Sequence, residues 1–193
     1  LNFVQYKLNN SQSFFSFRNG ESNNVNYNIN IGRNSVDQLN FPRQGSNFLF
    51  SLKLSPPYSM FDNVDDYSKL TDQEKYEWVE YYKWKFKATW FSPFTDKLVL
   101  ATRTEFGFLG AYNEELGISP FERFYVGGDG LSGMGYMNDG RELVSLRGYS
   151  NNSISPQTGA TIYNKYTAEL RYALSLNPSS TMYALAFVEA GNA

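Results

Sequence analysis

The 193 residues predict an all-β fold, part of an antiparallel transmembrane β-barrel, on three observations. Polar and apolar side chains alternate with a period of two in six segments, with a possible seventh at the start. Aromatic residues make up 18% of the chain and gather on one parity of those segments. The connections between segments alternate between short turns and long loops. Successive side chains of a strand point to opposite faces, so parity sorts each segment into two chemical surfaces.

Taken in order, residues 1 to 8 supply the possible seventh strand. In 24 to 31, four Asn alternate with Val25, Tyr27, Ile29 and Ile31. The turn FPRQG (41 to 45) follows, with Phe41, Pro42 and Gly45 as its marked residues, since Pro and Gly favour tight reversals. In 47 to 54, Phe48, Phe50, Leu52 and Leu54 oppose Asn47, Ser51 and Lys53. The loop 55 to 81 carries a helix-start signal, Thr71-Asp72-Gln73-Glu74, which fits a capping box and predicts a short helix through about Tyr81. In 82 to 91, Lys83, Lys85, Lys87 and Thr89 face away from Tyr82, Trp84, Phe86, Ala88 and Trp90. After the turn SPFTDK, residues 97 to 109 set Lys97, Arg103 and Glu105 against Leu98, Leu100, Phe106 and Phe108. A long stretch, 110 to 160, separates this segment from the clearest alternation, 161 to 176. There one parity holds Lys165, Glu169 and Arg171 and the other holds Ile162, Tyr166, Leu170, Tyr172, Leu174 and Leu176, a separation no helix would produce. The turn NPSS leads to 182 to 190, where Glu189 shares a face with Tyr183, Leu185 and Phe187.

Short turns at one end and long loops at the other describe an outer-membrane barrel, with the short turns periplasmic and the long loops extracellular. A soluble sandwich is the competing architecture. It is disfavoured because the apolar faces are rich in Trp, Tyr and Phe and the polar faces carry charges in mid-strand, which suits a wet barrel interior. No run of 18 apolar residues exists, but a membrane-crossing strand needs only about 9–11 residues, so the mean hydropathy of −0.47 does not bear on the question. The chain begins at Leu1 and stops at Ala193 within an alternation, so it is expected to be a piece of a longer barrel domain. About seven strands would leave two raw edges in lipid, and the smallest closed barrels have about eight.

Composition excludes several chemistries. With no His and no Cys there is no Ser-His or Cys-His nucleophile, no thiolate or His-ligated zinc and no disulfide framework. Nineteen acidic and 17 basic side chains give a net charge of −2, which argues against nucleic-acid binding through a basic field. The run from Gly128 to Gly133 matches a nucleotide-loop pattern, but the Gly- and Met-rich sequence after it cannot start the helix such a loop needs. YYKWKFK (81 to 87) interleaves Lys with aromatics as single-strand binders do, yet parity puts the two on opposite faces. Asp62, Asp65 and Asp66 lack calcium-loop spacing.

The segment ERFYVGGDGLSGMGYMNDGRELVSLRGY (122 to 149) carries a family signature. Phe124, Tyr125, Gly127 and Gly128, followed by Leu146, Arg147, Gly148 and Tyr149, resemble the "FYxGG … (V/L)RG(F/Y)" motif of BamA-like outer-membrane insertases, the bacterial surface antigen superfamily. FPRQG resembles that family's periplasmic turn, and ALAFVEAGNA one of its later strands. The resemblance implies a barrel of about sixteen strands, of which this chain would supply six or seven, preceded by periplasmic POTRA domains. It also implies that the Arg-Gly loop folds back inside the barrel, where Arg147 meets Glu169 and Glu189 on the two following strands, with Gly148 at a tight bend and Tyr149 packed on the inner wall. Parity independently places Glu169 on the charged face, and a guanidinium can bond two carboxylates through its fork of donors. The chain departs from the family in a Gly-rich insertion, 129 to 145, between the Gly pair and the Arg-Gly pair.

The function implied is insertion of other β-barrels into the bacterial outer membrane, as core subunit of an assembly machinery and without bond chemistry. Client strands would template on an exposed barrel edge. The implied partners are unfolded outer-membrane protein clients, outer-membrane lipid and accessory subunits, with no nucleic acid, cofactor or metal. The alternative is a polypeptide-secreting pore of the same superfamily, which differs in having fewer POTRA domains. An enzyme is disfavoured by the absence of His and of any G-x-S-x-G.

Overall fold

The period-two segments pair edge to edge into one sheet. In the computed structural model, which describes residues 1–10, 17–62, 64, 66–130, 141–177 and 179–193, seven strands pair antiparallel with their sequence neighbours. These are β1 (Asn2–Leu8), β2 (Gly20–Asn34), β3 (Gly45–Leu54), β4 (Tyr82–Pro93), β5 (Leu98–Gly110), β8 (Ile162–Asn177) and β9 (Ser180–Asn192). Two short strands inside the β5–β8 connection, β6 (Phe124–Val126) and β7 (Glu142–Val144), pair parallel to each other. The sheet is part of a barrel and is not closed: β1 and β9 are its two edges. No helix among the described residues is long and apolar enough to cross a membrane, whereas β2 through β5, β8 and β9 each have 10 to 16 residues, enough to cross as tilted strands.

The strands extend beyond the alternating segments at several ends. β2 starts at Gly20, four residues before its alternation, because Gly20 to Asn26 pair with β1. Its outer side there is polar, with Glu21 bonded to Lys7 at 2.9 Å. Between β8 and β9 the register shifts at Ala173/Ser175, a bulge that leaves Leu174 without an opposing residue.

The helix in the 55 to 81 loop comes out shorter than expected. The capping box forms, with the Thr71 hydroxyl accepting from the Glu74 N–H and Glu74 accepting from the Thr71 N–H, but the helix α1 (Asp72–Lys75) is one turn long and does not reach Tyr81. The chain after it is pulled straight against β2, where the Asn23 N–H donates to the Glu77 carbonyl and the Val79 N–H to the Asn23 carbonyl, and Val79 and Tyr81 are buried. In β9, as expected, Glu189 shares its face with Tyr183, Leu185 and Phe187, so the inner side there is less polar than those of β4 and β8.

The sheet has one packed face and one bare face. The odd-numbered side chains of β3, β4, β5, β8 and β9, with the even-numbered ones of β2, face the β5–β8 connection. The opposite face exposes Tyr27, Ile29, Ile31, Trp90, Ile162, Tyr166, Leu170 and Tyr172. A contiguous apolar band on a sheet this broad suits acyl chains rather than water. The main core lies on the inner side near the long-loop end, where Phe121, Phe124, Val126, Val144, Leu146 and Ala160 of the connection meet Tyr6, Tyr81, Leu109 and Tyr163. A smaller cluster of Phe41, Val99 and Ala173 closes the short-turn end.

Candidate functional site

The connection between β5 and β8 folds back along the inner wall, and short-range geometry explains why it can lie so close. A Cβ at Gly107 of β5 would collide with the Tyr163 ring and Phe124, so the glycine opens the wall for the aromatic of the loop signature. Phe124 packs edge-on to Tyr163 with 4.7 Å between ring centres, and the Lys83 ammonium lies 4.6 Å from its centre. Tyr125 is also buried, with the Arg141 guanidinium 5.7 Å from its ring. Gly127 and Gly128 have φ of +126° and +86°, a region that side chains other than glycine rarely enter, and a Cβ on either would strike the 150 to 153 backbone or the Asn151 side chain. They turn the chain so that the Gly127 N–H reaches the Val144 carbonyl and the Leu146 N–H the Gly128 carbonyl. Of the Gly-rich insertion 129 to 145 and the nucleotide-loop pattern, Leu131 to Gly140 lie outside the described residues.

Arg147 follows directly. Its Nη2 donates to Glu189 Oε1 at 2.8 Å, its backbone N–H donates to Glu189 Oε2 at 3.0 Å, and its guanidinium carbon lies 3.5 Å from the centre of the Phe187 ring. Glu189 also receives Thr167 Oγ1 at 3.2 Å and has Lys165 Nζ at 3.3 Å, and its side chain is only 2% exposed. Glu169 is on the same face and within ion-pair distance of Arg147, but its hydrogen bonds come from Arg171. It accepts two bonds from Arg171, at 2.9 and 2.5 Å, and Arg147 Nη2 stays at 3.8 Å. Arg171, two residues along the same face, is nearer to Glu169 than the loop is. The Arg147 side chain is 39% exposed, and burial and the Glu189 carboxylate act on it in opposite senses: the hydrogen bond it donates to Glu189 is the larger effect and raises its pKa. Gly148 bends the chain at φ +91° and Leu146 is fully buried. Tyr149, expected on the inner wall, is instead 52% exposed, because the bend at Gly148 carries it away from the strands.

Two acids outside the Arg-Gly motif, Glu122 and Glu142, meet three lysines of the wall. Lys53 of β3 and Lys83 of β4 are directly opposed in register, an arrangement that repels unless something neutralises it. Glu122 does so, lying 2.5 Å from Lys53 Nζ and 3.2 Å from Lys83 Nζ, while its own carbonyl accepts from Lys83 at 2.8 Å. Glu142 joins Lys83 at 2.5 Å and Lys85 at 2.7 Å. Lys83 is only 2% exposed. Burial tends to raise the pKa of Glu122 and of Glu142, but Lys83, then Lys53 for the first and Lys85 for the second, outweigh it and hold both below the ordinary carboxylate value. Glu122 has φ +67°, a left-handed backbone in a non-glycine residue, and that twist lets its carbonyl and carboxylate both address Lys83. A parity reading shows the lysine stripe and so the need for counter-charges; it does not show which acids answer it. A polar cavity of about 220 Å³ lies beside these groups, lined also by Asn28, Asn30 and Ser51.

At the other end, the turn residue Phe41 is buried against Val99 and Ala173 and tilts over Tyr183 of β9 at 5.3 Å. Pro42 is half-buried and Gly45 has φ +102°, where a Cβ would press on the Ser35 carbonyl. Arg43 bonds Asp96 in the β4–β5 turn at 2.9 Å. Of the acidic trio in the 55 to 81 loop, Asp62 accepts from the Tyr67 hydroxyl at 2.7 Å and Asp66 caps Ser68 and pairs with Lys69, while Asp65 lies outside the described residues. No group of three metal-ligating side chains occurs among the described residues.

Among solved structures, the chain is similar to BamA from Haemophilus ducreyi lacking POTRA domains 1-3, at 19% identity and a TM-score of 0.62. The alignment covers 89% of this chain and 30% of that one, so the chain spans about a third of that structure. No curated protein sequence matches it. The Omp85 superfamily domain matches over residues 1–193, and the chain therefore belongs to the Omp85 superfamily.

Proposed function

We propose that the chain is the wall and internal loop of an outer-membrane β-barrel insertase. The family and the fold imply the bacterial outer membrane, and place the protein among barrel insertases and polypeptide-secreting pores. The observation that carries the insertase reading is the similarity in fold to a BamA structure. The described residues of loop 111 to 161 cover the polar side of β3, β4, β8 and β9 with ion pairs and rings, a bracing that a secretion pore with the same Arg-Gly loop would share. An insertase works by offering strand edges and a deformed bilayer to a client, and needs a wall that stays rigid while its seam opens. In this role the chain's residues brace: Arg147 ties the loop to β9 through Glu189, the Lys–Glu cluster ties it to β3 and β4, and Phe41 ties the β2–β3 turn to β9. No side chain performs bond chemistry, and the partners are unfolded barrel clients, lipid and accessory subunits of an assembly complex.

The test is reconstitution of the full-length protein in liposomes. Urea-denatured β-barrel client should acquire heat-modifiable mobility faster than in empty liposomes, and a soluble secretory polypeptide should not become protease-protected. Translocation of the soluble polypeptide without faster client folding would overturn the insertase reading in favour of the secretion pore.

A further inference from the structure

Among the described residues, two groups of ionic contacts join the inner loop to separate parts of the wall. Arg147 and Glu189 hold its C-terminal part on β9. Glu122 and Glu142, before and after the Gly pair, hold its central part on Lys53, Lys83 and Lys85 of β3 and β4. Strands β5 and β8 lie between these two sites.

We propose that the Lys53–Lys83–Lys85 cluster and the Glu122–Glu142 pair form a second clamp, which keeps the loop seated when the Arg147 contact is lost. Three observations carry it. First, the wall needs the loop: Lys53 and Lys83 face each other in register and Lys83 is buried, so without the two acids the inner surface of β3 and β4 repels itself. Second, the acids are fixed to a rigid unit. Glu142 is in β7 and Glu122 two residues before β6, and these strands are joined by Glu142 N–H to the Arg123 carbonyl and Gly127 N–H to the Val144 carbonyl. Third, Glu122 is held in a left-handed backbone that its ion pairs help to maintain, as expected where surrounding contacts over-determine a strained residue. The two clamps share no side chain, so either can open while the other holds. The loop would then pivot on the β3–β4 side when Arg147 lets go, rather than leave the lumen. The inference concerns loop retention, and it holds whether the barrel inserts or secretes polypeptide.

Amide hydrogen exchange of the full-length protein in nanodiscs tests it, with a readout independent of client insertion. With Arg147→Ala, exchange of residues 146 to 149 should accelerate about tenfold or more, while the amides of Phe124, Gly127 and Glu142 keep their protection. With Glu122→Gln and Glu142→Gln together the pattern should reverse, and the triple variant should release both. If Arg147→Ala alone deprotects Phe124, Gly127 and Glu142 as fully as the triple variant, the loop has one clamp and the proposal fails. The Gln pair leaves buried Lys83 without a counter-charge, so a second comparison uses Lys85→Met and Glu142→Gln, in which Lys83 keeps Glu122. Non-additive effects on the Glu142-region amides support the clamp, and additive effects overturn it. Glu142→Asp, which keeps the charge, should restore much of the protection that Glu142→Gln removes, which loss of packing alone would not explain.

Discussion

Arg147 joins three kinds of contact in one side chain and its own amide: a charge-assisted bond, a backbone bond to the same carboxylate and a stacked ring. A lysine could supply the charge but not the planar stack on Phe187. Arg147→Lys in the full-length protein should therefore retain only part of the anchoring, and Arg147→Ala should destabilise by about 1–3 kcal/mol, read as a lower urea midpoint of the heat-modifiable form. The loss stays moderate because Lys165 and Thr167 still serve Glu189 and because Arg147 is partly exposed. The Glu122 and Glu142 carboxylates add a pH dependence of definite sign. Their folded pKa values are depressed, so their contribution is fully present above the ordinary glutamate value and is lost as pH falls through the lower, folded values. A fluorophore on Gln157→Cys, at an exposed site of the same loop, should report unchanged anisotropy at neutral pH and a fall confined to acid below the usual glutamate range. A fall beginning near neutrality would assign loop release to some other group.

Among the elements, the strands are the most legible in the sequence and the loop the least, for a physical reason. A strand's two faces are set by neighbours one and two positions away, so Lys83, Lys85 and Lys87 against Trp84 and Phe86 suffice to orient β4. The helix in the 55 to 81 loop is overestimated because its capping box is local, whereas what ends it, the bonds from residues 77 to 79 to Asn23, lies more than fifty positions away. Glu142 and Lys85 are 57 positions apart, and no spacing rule links them. The loop signature is different again: its glycines are visible in sequence, but why they must be glycine is a matter of what comes near. Gly128 and Gly148 have almost the same φ, +86° and +91°, yet a Cβ at Gly128 meets the Asn151 side chain and one at Gly148 meets nothing within 4 Å. Both Ala substitutions incur the left-handed backbone penalty of about 1–2 kcal/mol. Gly128→Ala should lower the urea midpoint of the full-length protein further than Gly148→Ala, and the difference measures the contact with Asn151 alone. Equal midpoints would mean that Asn151 moves aside freely.

For the molecule as a whole, the sheet is polar inside and apolar outside, and a soluble β-sandwich would invert the consequences of that division. In a sandwich the bare apolar face would be buried against a second sheet; here Leu170 of β8 lies between Leu100 and Ala186 on neighbouring strands and remains 42% exposed. A positive charge at such a site, near the middle of a strand that crosses lipid, costs about 2–4 kcal/mol at the bilayer midplane. Asn30 of β2 is the matching site on the other face, beside Ser51 and lining the polar cavity near Lys53. Leu170→Arg should therefore reduce the fraction of full-length protein that reaches the outer membrane in heat-modifiable form, and Asn30→Arg should reduce it far less, even though the cavity already holds lysines. The comparison controls for charge, size and strand position near mid-strand, and leaves only which side of the wall the guanidinium meets. Equal losses from the two variants would mean that both faces of the sheet meet the same medium, and the lipid-facing assignment of the aromatic side would then be wrong.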